Sequence, residues 1–460
     1  MSDGHCFDPS ILREYDIRGI VGASLKEADA LAIGKTLGSS VVNLGGTTVC
    51  IGYDGRLSSP KLEAALVVGF ESTGLHVLRI GCGPTPMLYF ASRVLNSDAA
   101  VMVTGSHNPP SYNGFKMVVN NAPFWGQEIR KLGVDAALGG WVTGTGRSVK
   151  LDIADWYVAR VAADYRCEHG LKIAWDSGNG SAGAVLSKLT SKLPGIHILL
   201  NEKIDGTFPA HHPDPTIPDN LEQLRQTVAT NECDIGIAFD GDGDRIGVVD
   251  SLGRIIWGDQ LLALLVGDVL HRHPGAPILA DVKASQVLFD EISRLGGKPV
   301  MGASGHSIIR SKMMEIGAPL AGEMSGHIFF KDRYYGFDDA LYAAVRLIDL
   351  ISSAGSSASS MLDNLPIMCN TPEVRFEILE ERKFAVVAEI KARLETSGAT
   401  VNNVDGVRVS TENGWWLLRA SNTQNSLVCR CEASSESSLS ALKETVNEQL
   451  RLSGIDYNPF

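Results

Sequence analysis

Short, nearly continuous apolar runs alternate along this chain with longer stretches whose apolar residues recur at helical spacing, which predicts strand and helix in turn. Three of the runs end in aspartate and lead through a polar or glycine-rich turn into an amphipathic helix. Val49-Cys50-Ile51-Gly52-Tyr53-Asp54 precedes a helix from about Pro60, and Lys172-Ile173-Ala174-Trp175-Asp176 precedes Ser177-Gly178-Asn179-Gly180 and a helix. Pro277-Ile278-Leu279-Ala280-Asp281 precedes Val282-Lys283-Ala284-Ser285 and a helix. Asp54 and Asp176 stand 122 residues apart and Asp176 and Asp281 105, about one α/β domain each. Each copy continues with a second strand (His76 to Ile80, Ile196 to Leu200, Pro299 to Met301), a helix and a third strand. The third strands end near Ser106, Asp240 and Glu323. The alternation predicts parallel or mixed sheets with helices on both faces, and ligands gather at the carboxyl ends of such strands. Three polar loops can therefore face one cleft.

After about Pro366 the repeat stops. A short strand, a helix from Arg382 to Ser397, and strands around Gly406-Val407-Arg408-Val409, Trp415 to Arg419 and Leu427 to Cys431 predict an α+β end domain. Its last helix starts near Ser435, a good capping residue. The serine-rich run Ser352 to Ser360 reads as a linker before it. The fold class is thus α/β: three repeated α/β domains plus a C-terminal α+β domain, at 1–150, 151–254, 255–366 and 367–460.

Composition narrows the partners. A net charge of −12 argues against nucleic acid and anionic membrane. Apolar stretches such as Leu261 to Gly267 are too short to span a bilayer, and the acidic first 25 residues carry no signal-peptide core. Eight scattered cysteines without a C-x-x-C pair read as reduced, buried thiols of a cytoplasmic protein.

Four loops carry candidate chemistry. Thr104-Gly105-Ser106-His107-Asn108-Pro109 puts one hydroxyl at the end of a buried strand, where the glycine clears space for a bulky group. Asp240-Gly241-Asp242-Gly243-Asp244-Arg245 sets three mutually repelling carboxylates between two apolar strands, a donor set suited to a hard divalent cation. It is no EF-hand: the sixth position is Arg245, not glycine, and the twelfth is Ser251, not glutamate. Gly322-Glu323-Met324-Ser325-Gly326-His327 offers a carboxylate, a hydroxyl and an imidazole suited to sugar hydroxyls. Arg419-Ala420-Ser421-Asn422-Thr423 offers a cradle for an oxyanion. Any one of them alone also reads as an ordinary capped turn.

The four motifs in this order resemble the α-D-phosphohexomutase family, and most closely its bacterial phosphomannomutase/phosphoglucomutase branch. The resemblance runs from Tyr15-Asp16-Ile17-Arg18-Gly19 to the terminal helix, and takes in Asp205 to Pro209, His211 to Pro215 and Gly305-His306-Ser307. It implies four domains around one central cleft, carrying in turn phosphoserine, metal, sugar and phosphate sites. Ser106 would carry phosphate. Asp240, Asp242 and Asp244, with the phosphoserine, would hold one Mg²⁺ per chain. Glu323 and Ser325 would hold two sugar hydroxyls, with Met324 and Gly326 in the same loop. Arg419, Ala420, Ser421, Asn422 and Thr423 would grip the non-reacting phosphate. Tyr15, Lys283, His306 and His327 would line the cleft. Arg18, Lys116 and Arg245 would stabilise the moving phosphoryl group, and His327 or Lys116 would shuttle the proton.

The substrates implied are small hexose phosphates, with a hexose 1,6-bisphosphate as activator and intermediate, and the protein a monomer. Met324 and Gly105 differ from the glutamine and alanine of phosphoglucosamine mutases, the nearest alternative. A silent sugar-phosphate binding protein would not need a phosphorylatable serine. A serine hydrolase fails for want of a G-x-S-x-G elbow around Ser106. After Thr423 the family continues with a proline where Gln424-Asn425-Ser426 stands here.

Overall fold

A computed structural model describes residues 4–422 and 424–460. Among these the chain forms four sheets. In the first, Ala99–Val103, Thr48–Tyr53 and His76–Cys82 run parallel, Tyr112–Val119 lies antiparallel beside Ala99–Val103, and Ile17–Ile20 lies antiparallel beside that. In the second, Ile235–Phe239, Leu171–Asp176 and Gly195–Leu200 run parallel, with Ile246–Asp250 antiparallel beside Ile235–Phe239 and Ile255–Ile256 at the edge. In the third, Leu320–Gly322, Pro277–Asp281 and Lys298–Gly302 repeat the arrangement, with Ile328–Phe330 antiparallel. Each sheet thus places the Asp-ended strand centrally and turns back through a hairpin after its third strand. That hairpin displays the loop at Ser106, Asp240 or Glu323. The fully buried strands are apolar almost throughout, as sheets covered on both faces require.

The fourth sheet is antiparallel, in the order Cys369–Asn370, Ser426–Ala433, Gly414–Ala420, Val407–Thr411, Thr400–Asn402. Helices Glu380–Ser397 and Glu436–Leu452 cover one face of it. The other face meets the third sheet's loop 282–286 through buried charges. Arg408 donates to the carbonyls of Val282 and Ala284, both at 2.7 Å, and Arg430 donates to that of Lys283. Glu432 accepts from Ser285 Oγ and Gln286 N, both at 2.9 Å.

Two expectations need correction. The serine run is not a linker: Ala340–Ala354 and Ala358–Asp363 are helices, and Ser357 caps the second by accepting from Ser360 N. Serine at a cap favours a helix, and Ser359 is buried against Ser251 and Arg254. The irregular connection is shorter and later, at 364–368, where Ile367 is fully exposed. The cysteines are all unpaired, but only Cys50, Cys233, Cys429 and Cys431 are buried; Cys6 is exposed. No helix among the described residues is long and apolar enough to cross a membrane.

Candidate functional site

Ser106 sits three residues past the end of its strand, buried, with a backbone φ of +48°. This left-handed conformation is costly for a residue with a side chain, so the surroundings must impose it. Ser106 N donates to Thr104 Oγ1 at 2.8 Å, and Thr104 Oγ1 donates to Asp54 Oδ2 at 2.8 Å. Gly105 N donates to the same Asp54 oxygen at 3.1 Å. The result aims Ser106 Oγ at the second domain, where it donates to Asp240 Oδ2 at 2.9 Å.

Asp240, Asp242 and Asp244 are fully buried, each with an oxygen within 4.8 Å of the others. The Lys116 ammonium bridges two of them, 2.7 Å from Asp242 Oδ2 and paired with Asp244. Thr85 Oγ1 donates to Asp242 Oδ2 at 2.5 Å. Burial raises the Asp240 carboxyl well above its usual range, and its two neighbours raise it further. Burial also opposes ionisation of Asp242, but the Lys116 ammonium outweighs it and holds that carboxyl low. The outer oxygens Asp242 Oδ1 and Asp244 Oδ1 are buried and find no hydrogen-bond partner among the described residues. Two orphaned carboxylate oxygens, a third carboxylate and the Ser106 hydroxyl are all hard donors, so the set fits a divalent cation such as Mg²⁺.

His327 Nδ1 stands 2.9 Å from Asp338 Oδ2 and 3.6 Å from Asp244 Oδ1. Its Nε2 accepts from Arg245 Nε at 3.0 Å, and although burial opposes its charge, the Asp244 and Asp338 carboxylates beside it raise the imidazole above its usual range. The His306 ring stacks on it at 5.4 Å and meets Tyr15 edge-on at 6.1 Å. Arg18 lies across the Ser106 loop, donating to Gly105 O at 3.2 Å and also to Asn108 and Asp16.

On the far side of His306 lies a second group. Glu323 Oε1 accepts from Gly305 N at 2.7 Å, and burial raises its carboxyl. Ser325 is half-buried in the same turn, with Met324 N on Asp281 Oδ1 at 3.2 Å and Gly326 at φ +91°. Tyr15 OH donates to Ser304 O at 2.9 Å and accepts from Asn422 Nδ2 at 2.7 Å, which joins the first, third and fourth domains. Arg419 Nε donates to Asp405 Oδ2 at 2.8 Å, and Lys283 pairs with Glu373 at 3.2 Å. Arg419 and Ala420 belong to the strand Gly414–Ala420, so the cradle loop begins only at Ser421. Thr423 lies outside the described residues.

The motifs did not point to Asp54, Arg56, Thr85, Asp338, Asp405 or Glu373. For Asp54 a signal existed in the aspartate that ends the first strand of each repeat. Asp54 holds Gly105 N and Asp281 holds Met324 N, so in two domains this aspartate pins the loop after the third strand. In the second domain Asp176 turns instead to Gly178 N, Asn201 and His211.

Sequence models of the phosphoglucomutase/phosphomannomutase family match this chain in four pieces. The α/β/α domains I, II and III match residues 9–132, 155–253 and 257–368, and the C-terminal domain matches 373–449. A phosphomannomutase/phosphoglucomutase of Pseudomonas aeruginosa is 42% identical over 442 residues, 96% of each chain. A phosphoglucomutase of Neisseria meningitidis is 42% identical over 437 residues, 94% of this chain and 95% of its own. The crystal structure of a phosphoglucomutase/phosphomannomutase family protein from Burkholderia thailandensis superposes with a TM-score of 0.94 at 40% identity, covering 99% of this chain and 100% of the other.

Proposed function

This chain belongs to the phosphoglucomutase/phosphomannomutase branch of the α-D-phosphohexomutase family, and on that premise we propose that Ser106 relays a phosphoryl group between the 1- and 6-positions of mannose or glucose phosphate. The enzyme is a hexose-phosphate mutase, an isomerase. Phosphate on Ser106 passes to the free hydroxyl of a hexose 1-phosphate: the serine P–O bond breaks, a sugar P–O bond forms, and a hexose 1,6-bisphosphate results. The bisphosphate turns end for end without leaving, and its other phosphate returns to Ser106. Asp240, Asp242, Asp244 and the serine phosphate would hold one Mg²⁺, which when bound offsets negative charge and polarises the phosphoryl group.

The chain's own groups do the rest. Arg18, Lys116 and Arg245 supply positive charge around the group in flight. His327 Nε2 takes the proton of the attacking hydroxyl once Arg245, which occupies its one lone pair at 3.0 Å, turns to the phosphoryl group. Lys116, held as an ammonium between two carboxylates, has no lone pair to accept one. Glu323 and Ser325 bind sugar hydroxyls, and Arg419 to Thr423 hold the phosphate that is not reacting, at either end of the sugar. We place the enzyme in the cytoplasm as a monomer, on its acidic charge and unpaired cysteines.

The observation that carries this reading is the single hydroxyl of Ser106, 2.9 Å from one of three clustered carboxylates and flanked by Arg18. Intact-mass measurement after incubation with glucose 1,6-bisphosphate tests it. One added phosphate in the wild type and none in Ser106→Ala is the expected result; an unmodified wild type overturns it. Turnover of glucose, mannose and glucosamine 1-phosphates side by side then ranks the sugars.

A further inference from the structure

Arg56 lies outside every motif that carries the chemistry, and its side chain is wholly buried. A guanidinium has five N–H donors, and all five of Arg56's are used. Nε donates to Asp54 Oδ2 at 3.1 Å. Nη1 donates to the carbonyls of Pro109 at 2.6 Å and Tyr112 at 2.9 Å. Nη2 donates to the carbonyls of Ser106 at 2.7 Å and Asn108 at 2.6 Å. Four carbonyls of one loop thus converge on a single cation. Pro109 O also accepts from Tyr112 N at 3.0 Å, but among the described residues the carbonyls of Ser106 and Asn108 meet no backbone N–H of the loop, so without the cation the loop would turn them elsewhere.

Because one of the four is the carbonyl of Ser106, the guanidinium fixes the peptide that follows the nucleophile. Asp54, held by the same guanidinium, fixes the peptide before it through Gly105 N and Thr104. The two together clamp the left-handed turn that aims Ser106 Oγ at Asp240. Gly105 has a reason in this packing: a Cβ there would lie 2.5 Å from Arg56 Cζ and Nε. The second domain closes over the arginine. A Cβ on Gly206 would lie 2.7 Å from Arg56 Cα, and the Phe208 ring sits 5.2 Å from the guanidinium carbon.

We propose that Arg56 is a positioning residue for phosphoryl transfer, moulding loop 104–112 so that Ser106 is presented to the transferring phosphate. The proposal rests on Ser106 being the phosphate carrier. It is distinct from a mere stabilising role, because every donor ends on the serine loop or on the aspartate that orders it. A misplacement of about 1 Å at a nucleophile costs about 10²-fold in rate without a matching loss of binding.

The test uses the full-length protein with Arg56→Ala and Arg56→Lys, reading phosphorylation of Ser106 from glucose 1,6-bisphosphate by quenched-flow mass spectrometry, with kcat and KM for glucose 1-phosphate. Both variants should phosphorylate about 10²-fold more slowly, with KM within about threefold of the wild type. Lysine should recover little, since an ammonium cannot reproduce the planar fork. Millimolar guanidinium, too dilute to denature, should restore at least about tenfold to Arg56→Ala by refilling the space between the four carbonyls. Should the alanine variant not fold, the lysine variant alone decides. Phosphorylation within about threefold of wild type in either folded variant overturns the proposal, as does a slow Arg56→Ala that guanidinium leaves unchanged. A wild type that takes no phosphate on Ser106 is a separate result, which removes the proposed function itself and this role with it.

Discussion

The loop that carries Ser106 and the loop that begins at Ser421, the two proposed to take a phosphate, are held in different ways. Loop 104–112 is buried at its turn and anchored by Asp54, Arg56 and Arg18, with Ser106 Oγ already against Asp240. The Ser421 loop is held within its own domain: Ser421 N donates to Ser426 O at 2.9 Å and Gln424 N to Ser421 Oγ at 3.1 Å, Ile378 N donates to Asn425 O at 3.0 Å, and Arg375 and Lys383 donate to Gln424, while Gln424 and Asn425 stay exposed. A bond from Asn422 to Tyr15 reaches across to the first domain. Bond making demands preorganised geometry, whereas a grip that must hold either end of a turning sugar demands freedom to let go.

The heaviest blow to this contrast is Ser106→Ala, which should remove the phosphoenzyme and lower kcat by at least about 10³-fold while the fold persists. Near-normal turnover by that variant would move the chemistry to another group. Next comes the carboxylate cluster. Asp242→Asn should weaken Mg²⁺ binding, read by calorimetry, and cut kcat by about 10²-fold, and EDTA should stop turnover until Mg²⁺ returns. Undiminished activity after exhaustive chelation would separate the cluster from catalysis. On the recognition side, Glu323→Gln and Ser421→Ala should each raise KM by about tenfold, the worth of one hydrogen bond, and still accept phosphate at Ser106. Failure to accept it would mean that the loop in question supports the nucleophile after all. The smallest effect is on motion. Amide exchange at 364–372 and at 424–426 should be fast and slow on substrate binding, while 104–112 stays slow throughout. Equal protection of both loops without substrate would erase the comparison.

Much of this was readable before any coordinates. The period of apolar runs located the strands Ala99–Val103, Ile235–Phe239 and Pro277–Asp281, because a strand buried on both faces has to be apolar. The loops then follow from topology, since the carboxyl ends of such strands are where side chains reach a ligand. Arg56 and Asp338 escaped for a physical reason: each acts on a loop distant in sequence, and one charged residue in a turn looks the same whether it is solvated or bound to four carbonyls. The serine run misled because composition records flexibility, whereas Ser357 acts through one capping bond and Ala358 and Met361 through packing.

The buried contacts of Arg408 and Arg430 with loop 282–286 also set a mechanical ratio. They bear on the fourth sheet beside Leu417, which pairs with both arginines in register, and Asn422 lies five residues further along the same ribbon. At about 3.3 Å per residue the arm is roughly 16 Å, so a tilt of about 10° on that bearing carries the tip about 3 Å. That travel is the length of one hydrogen bond. We infer that a rocking of this size would release Tyr15 while leaving the arginines on their carbonyls, the fulcrum staying dry as the far end of the lever opens and shuts.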